Sequence, residues 1–326
     1  MKKILFFLGT VLLIIFIIPI LFTKRFEVKE VITNNTYIKD TEEINNSQTI
    51  KLLHKQTGEI EEISLENYIL GVVSAEMPAS YEEEALKAQA IVARTYTIYT
   101  IKNIKKHTEA DICDEATCCQ AWISKESRIS KWNEEEREDN WKKIEDAVYN
   151  TANQIITYNG ETIDAFFHSN SGGKTEEVSN VWGGEDLPYL QSVETSGESE
   201  YSQYSSEVVF SKQELEKKIK ESHPEFVINY NELDCIKIVE YTSGNRVKSI
   251  KLGNLNLSGV EVRSILGLKS ANFEVEINED KVKFSVKGYG HGVGMSQTGA
   301  NTLAKQGYTA EEIIKHFYTG VEISNL

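Results

Sequence analysis

The chain has 326 residues, with 50 Asp and Glu against 35 Lys and Arg, for a formal net charge of −15. That length allows one large or two medium domains with a sizeable core. The acidity argues against a nucleic-acid or anionic-lipid-surface partner, because phosphate binding depends on clustered Lys and Arg. An uncharged or weakly charged substrate such as a glycan is compatible with it.

Ile4–Phe22 is apolar apart from Thr10, with Lys2-Lys3 before it and Lys24-Arg25 after. It matches the roughly 20 residues needed to span a bilayer, and it lacks an A-x-A cleavage site. Residues 1–25 therefore read as an uncleaved single-pass anchor. The flanking charges are nearly balanced and do not decide its orientation. Residues 26–49 are polar and rich in Asn, Glu and Thr, which suits a spacer. The remainder, 50–326, reads as one domain.

Ile50–Ile63 predicts a hairpin turning near Gln56-Thr57-Gly58. Ser64–Glu76 follows with apolar residues at Leu65, Tyr68, Ile69, Val72 and Val73, the stripe of a helix facing a core. The next position on that stripe is Glu76. A carboxyl on a buried face loses water, and its pKa rises towards neutrality. Such an acid can deliver a proton to a poor leaving group. The alternative is a helix-end Glu that turns to solvent or pairs with an Arg.

Pro78 breaks this helix by disfavouring helical geometry at Met77. Ser80-x-x-Glu83 then has the form of a capping box opening a second helix. Arg94 lies beside the inner seam of that helix, where it could hold Glu76, bind a ligand or form a structural ion pair. His107–Trp122 is a Cys-bearing loop with His107, Cys113, Cys118 and Cys119. The spacing is H-x5-C-x5-C when Cys119 is counted. Zinc suits these donors, and an oxidising compartment would instead favour a disulfide from Cys113 to Cys118 or Cys119. Cys235 reads as a buried strand thiol.

The latter part of Lys131–Thr151 reads as a charged helix. Ile155–His168 reads as strands about an Asn159-Gly160 turn. Ser169–Gly197 is loop-like, and Ser211–Glu221 is a charged helix. Strands are predicted in Cys235–Leu252 and Phe273–Val286, with turns at Ser243-Gly244-Asn245 and Asn278-Glu279-Asp280. Two short helices follow Met295, the second opened by Thr309-x-x-Glu312. Helices and strands do not alternate as βαβ units, so the fold class is α+β: an anchor helix, then one mixed α/β ectodomain with a substrate cleft.

Four segments carry a resemblance in the same order along the chain. They are SAEMPASYEEEALKAQAIVARTY (Ser74–Tyr96), FHSNSGGKTEE (Phe167–Glu177), VWGGEDLPYLQSVE (Val181–Glu194) and GYGHGVGMSQTGA (Gly288–Ala300). Together they resemble the stage II sporulation protein D family, also called the amidase-enhancer family, from about Ile60 onward. The resemblance implies a peptidoglycan lytic transglycosylase on the extracytoplasmic side of the cell membrane. It would act on denuded glycan strands during spore engulfment, alongside a cell-wall amidase and a membrane tether. It implies Glu76 as the catalytic acid, and zinc on His107, Cys113 and Cys119, with Cys118 spare. Substrate contacts are expected from Arg94, His168, Ser171, Gly172, Tyr189, Tyr289, His291 and Gln297, converging with Glu76 on one cleft. Relatives carry Lys where this chain has Gln191, so a contact there would differ.

Glycosidases of the usual kind use two carboxylates. One convincing candidate is present here, which suits attack by the sugar's own C6 hydroxyl and a 1,6-anhydro product. Two other classes stand beside this one: a non-catalytic glycan-binding amidase enhancer, and a zinc hydrolase. The latter ranks lower because no HExxH pattern occurs. The zinc is read as a structural brace, since two thiolates make a bound water a poor acid.

Overall fold

The computed structural model describes residues 48–326, which form one compact unit. The expected anchor and nearly all of the expected spacer lie outside the described residues. Among the described residues no helix is long and apolar enough to cross a membrane. Helices and several small sheets are mixed, without a continuous parallel sheet.

The predicted hairpin is present as β1 (Thr49–Leu53) and β2 (Ile60–Ser64), with Ile50 opposite Ile63. Ser64 ends it and caps α1 (Leu65–Glu76), accepting from the Asn67 N–H. The apolar stripe of α1 is buried as its spacing requires, and Met77 turns extended ahead of Pro78. The next helix, α2 (Glu83–Tyr99), starts without the expected box. Ser80 lies inside a turn closed by the Tyr81 N–H on the Pro78 carbonyl, and Glu82 occupies the cap position. The Glu82 N–H is taken instead by Asn301 Oδ1 at 2.7 Å. From Ala85 to Ile98 nearly every residue of α2 is buried, so it is the central post of the structure.

A two-residue β3 (Ile112–Cys113) pairs parallel with β1, placing Cys113 opposite Leu53. Then come α3 (Lys125–Ile129), α4 (Arg137–Tyr149), and the hairpin of β4 (Gln154–Tyr158) and β5 (Glu161–Thr162). Asn159 and Gly160 both have positive φ, 52° and 83°, as that two-residue turn demands. Next are β6 (Phe167–His168) and α5 (Val178–Trp182).

Residues from β7 to β12 build a second apolar core around Phe210, Phe226, Phe273 and Phe284. Its elements are β7 (Ser205–Ser211), α6 (Lys212–Ser222), β8 (Ile236–Tyr241), β9 (Val247–Leu252), β10 (Leu255–Ser258), α7 (Gly259–Leu266), β11 (Asn272–Ile277) and β12 (Lys281–Lys287). The chain then returns to the first core through β13 (Met295–Ser296), α8 (Gln297–Lys305), α9 (Ala310–Phe317) and β14 (Glu322–Asn325). The Thr309–Glu312 box opens α9 as its sequence predicts.

The two cores meet at a polar seam. Arg246, buried, donates to the carbonyls of Ser171, Lys174 and Gly244. Gly292, at φ 88°, presses against this guanidinium so closely that a Cβ there would lie 2.0 Å from Nη2.

Candidate active site

Glu76 ends α1 partly buried, with each carboxyl oxygen held by a different piece of chain. The Ala121 N–H donates to Oε1 at 3.0 Å, and Gln297 Nε2 donates to Oε2 at 3.3 Å. Burial pushes the Glu76 pKa up, and these two donors offset only part of that. Among the described residues no cation pairs with it. The carboxyl is therefore oriented, raised in pKa and not neutralised.

Gln297 is the first residue of α8, whose cap is Ser296. Ser296 and Met295 form β13, which pairs parallel with His168 and Phe167 of β6. This seam carries the C-terminal glycine-rich segment to α1, as the convergence of the matched segments requires. Gln297 also stands 3.5 Å from Gln89 Oε1 on α2.

Four of the expected substrate contacts do not face this site. Arg94 is fully buried and pairs with Glu66, not Glu76. Nε and Nη2 donate to the two Glu66 oxygens at 2.8 and 2.6 Å, and Nη1 donates to the Gln154 carbonyl. The fork of the guanidinium is used up inside the protein. Tyr189 is only 8% exposed, and its hydroxyl accepts from the Asp164 N–H, so it offers no platform. Ser171 is buried and belongs to a hub around Glu198. The Glu198 carboxylate accepts from the hydroxyls of Ser171, Thr195, Ser296 and Thr298 and from the N–H groups of Ser171 and Gly173. Gly172, at φ 74°, allows close approach of its own backbone to Lys287 and Gly288, not of a sugar. Gln191 is exposed and donates to the Pro188 carbonyl.

His168 and His291 come together with ring centroids 5.6 Å apart. His168 Nδ1 lies 3.1 Å from the Val293 carbonyl, so Nδ1 carries the hydrogen and Nε2 keeps a bare lone pair. Burial drives its pKa down to about 3, and drives His291 well below its usual range. Both rings are neutral. Tyr289 is exposed, with Lys269 Nζ over its ring at 5.1 Å.

Two residues have no counterpart among the sequence-predicted site residues. Asp164 is buried, and desolvation pushes its carboxyl up to about 7. Nothing in the local pattern DAFFH marks it, since its burial comes from tertiary packing. Trp182 lies within a matched segment, where the glycines beside it are the stronger signal. It is 52% exposed and packs on Phe166 and His291.

The metal-binding candidates form one cluster. Donor atoms of His107, Cys113, Cys118 and Cys119 all lie within 4.8 Å of one another. His107 Nε2 is 3.8 Å from Cys118 Sγ and 3.5 Å from Cys119 Sγ, and these two sulfurs are 3.8 Å apart. A tetrahedron with Zn–S bonds of ~2.3 Å has edges of about 3.8 Å. The donor set fits zinc, and Cys118 stands inside it, not spare. A tight turn explains this: the N–H groups of Cys118 and Cys119 both bond the Glu115 carbonyl. All four cysteines of the chain are free. Four protein donors leave no open position, so the chemistry offered is a brace. Ala121, which holds Glu76, lies two residues beyond Cys119, and Gln120 between them bonds Thr97 and Tyr68.

A family model described as "Stage II sporulation protein" matches residues 53–158. Stage II sporulation protein D of Bacillus subtilis (strain 168) is 36% identical over 268 residues, covering 81% of this chain and 76% of that protein. The protein of the same description from Bacillus amyloliquefaciens is 35% identical, covering 81% and 75%. A protein described as "Amidase enhancer" from Bacillus subtilis (strain 168) is 29% identical over 306 residues, covering 78% of this chain and 40% of its own length.

Proposed function

Since the chain belongs to the stage II sporulation protein D family, we propose that it is a membrane-anchored peptidoglycan lytic transglycosylase. Its substrate would be the MurNAc–GlcNAc β-1,4 bond of denuded glycan strands during spore engulfment. The observation that carries this reading is the Glu76 carboxyl: raised in pKa, fixed by two neutral donors and, among the described residues, paired with no cation.

Glu76, protonated, gives its proton to the glycosidic oxygen as the C1–O bond breaks. Positive charge grows at C1. The same carboxylate then takes the proton of the C6 hydroxyl as that oxygen bonds to C1, closing the 1,6-anhydro ring. Glu76 returns protonated, and no water is consumed. The Ala121 N–H and Gln297 amide fix which carboxyl lone pairs remain for these transfers. Neither donor is charged, so neither holds the proton off as an Arg would. Asp164 is buried behind tyrosines and is given no part in the reaction.

Zinc, when bound by His107, Cys113, Cys118 and Cys119, would supply rigidity to the loop that delivers Ala121. The apolar run Ile4–Phe22 supports a membrane anchor, with the domain on the side facing the wall. A cell-wall amidase partner is supported by the description of one relative as an amidase enhancer.

That description also favours a second reading, in which the domain binds glycan and promotes an amidase without cleaving. Incubating the full-length chain with denuded strands separates the two by mass spectrometry of the ends. Anhydro-sugar ends from the native chain, absent with a folded Glu76→Gln variant, are expected. Intact strands with the native chain would favour the enhancer role, and cleavage retained by Glu76→Gln would remove Glu76 from the mechanism.

A further inference from the structure

Trp182 ends α5, and beyond it Gly183 and Gly184 have nothing within 4 Å of where a Cβ would stand. On its inner side the indole is stacked at 4.7 Å on Phe166, tilted 37°, and at 5.0 Å on His291. Phe166 in turn packs against Tyr96 of α2 at 6.3 Å. The outer side is open, since the residue is 52% exposed. A lone exposed aromatic needs no explanation. This one is immobilised from behind by other rings, which lowers the entropy cost of placing a ligand against it.

This ring cluster lies on the seam that leads to Glu76. The Phe166 carbonyl accepts from the Met295 N–H at 3.1 Å, two residues before Gln297.

We propose that Trp182 is a sugar-stacking subsite, taking the C–H face of one pyranose ring of the glycan strand. The proposal rests on the glycan-cleaving reading above but concerns binding alone. An indole offers a flat apolar face matched to a ring of axial C–H groups, while sugar hydroxyls stay in water at the rim.

The test is binding of a purified, denuded tetrasaccharide of alternating GlcNAc and MurNAc to the full-length chain carrying Glu76→Gln, which prevents turnover. Adding Trp182→Ala should weaken binding about tenfold, roughly the worth of one good aromatic contact. Trp182→Phe should stay within about threefold, with both variants still folded at the assay temperature. Equal affinity with and without Trp182→Ala overturns the subsite, as does a parent protein that binds no tetrasaccharide. A Trp182-dependent affinity in a native chain that leaves no anhydro ends would keep the subsite and discard the cleavage.

Discussion

The Glu66–Arg94 pair offers the sharpest trial of where substrate recognition stops and structure begins. Both side chains are almost wholly buried, joined by two short hydrogen bonds. Arg94 also serves the carbonyls of Gln154 and Val148. Glu66→Ala leaves that guanidinium uncompensated, a loss of about 3–5 kcal/mol. For a chain of this size that lowers the melting temperature by roughly 10 °C. Replacing both partners, as Glu66→Leu with Arg94→Met, removes the two buried charges together. Its net cost should be well below the sum of the single changes, which a double-mutant cycle in urea would show as a coupling of a few kcal/mol. The folded double variant should still bind and cleave glycan strands like the native chain. A Glu66→Ala protein within about 1 kcal/mol of native would refute the structural role. A stable double variant that no longer binds glycan would return Arg94 to the cleft.

Cleavage should fall as pH rises through the elevated pKa of Glu76, because only the protonated acid can donate. A rate that climbs through neutral and alkaline pH would contradict the acid role. His168, with its folded pKa near 3 against an ordinary 6.5, stays neutral where an unfolded chain would take a proton. Stability should therefore fall as pH drops below about 6.5, by about 2 kcal/mol at pH 5 from this residue. Urea midpoints at pH 7 and 5 would show it, and His168→Gln should flatten the difference; an unchanged slope would discount the buried neutral ring. Cys118→Ser should lower bound zinc, measured by elemental analysis of protein purified without chelator, as much as Cys113→Ser does. Full metal content in Cys118→Ser protein would restore a three-ligand site.

Features set by local rules are legible in the amino-acid sequence. The stripe through Val72 and Val73 puts Glu76 at the buried edge of α1, and Thr309–Glu312 marks the start of α9. Asn159-Gly160 marks a hairpin because its backbone needs positive φ. Features set by tertiary partners are not legible in this way. Arg94 can be placed beside a seam, but its choice of Glu66 over Glu76 depends on α1 packing across α2. Ser80-x-x-Glu83 has the wording of a cap, yet the turn from Pro78 and the side chain of Asn301 settle the helix start otherwise. Tyr189 and Trp182 stand seven residues apart in one loop, and nothing in the wording says which faces water. Cys118 is spare in the ligand set that the resemblance implies, whereas the turn on Glu115 brings adjacent cysteines to one centre. Alternation predicts the strands around Phe273 and Phe284, but not that β7, α7 and β10 complete a separate core with them.

The hydrogen bond from Gln297 to Glu76 joins residues 221 positions apart. Similar spans, of 219 and 226 positions, tie Glu82 and Glu84 at the start of α2 to Asn301 and Ala310 at 2.7 Å each. Ribosomes deliver the N-terminal end first, so α1 and α2 emerge long before the segment that completes the acid's surroundings. On the proposed reading, a wall-cutting activity is thus left unarmed until almost the whole polypeptide has been made. A chain cut short before α8, by a premature stop or by proteolysis, would carry Glu76 but not the amide that aims it.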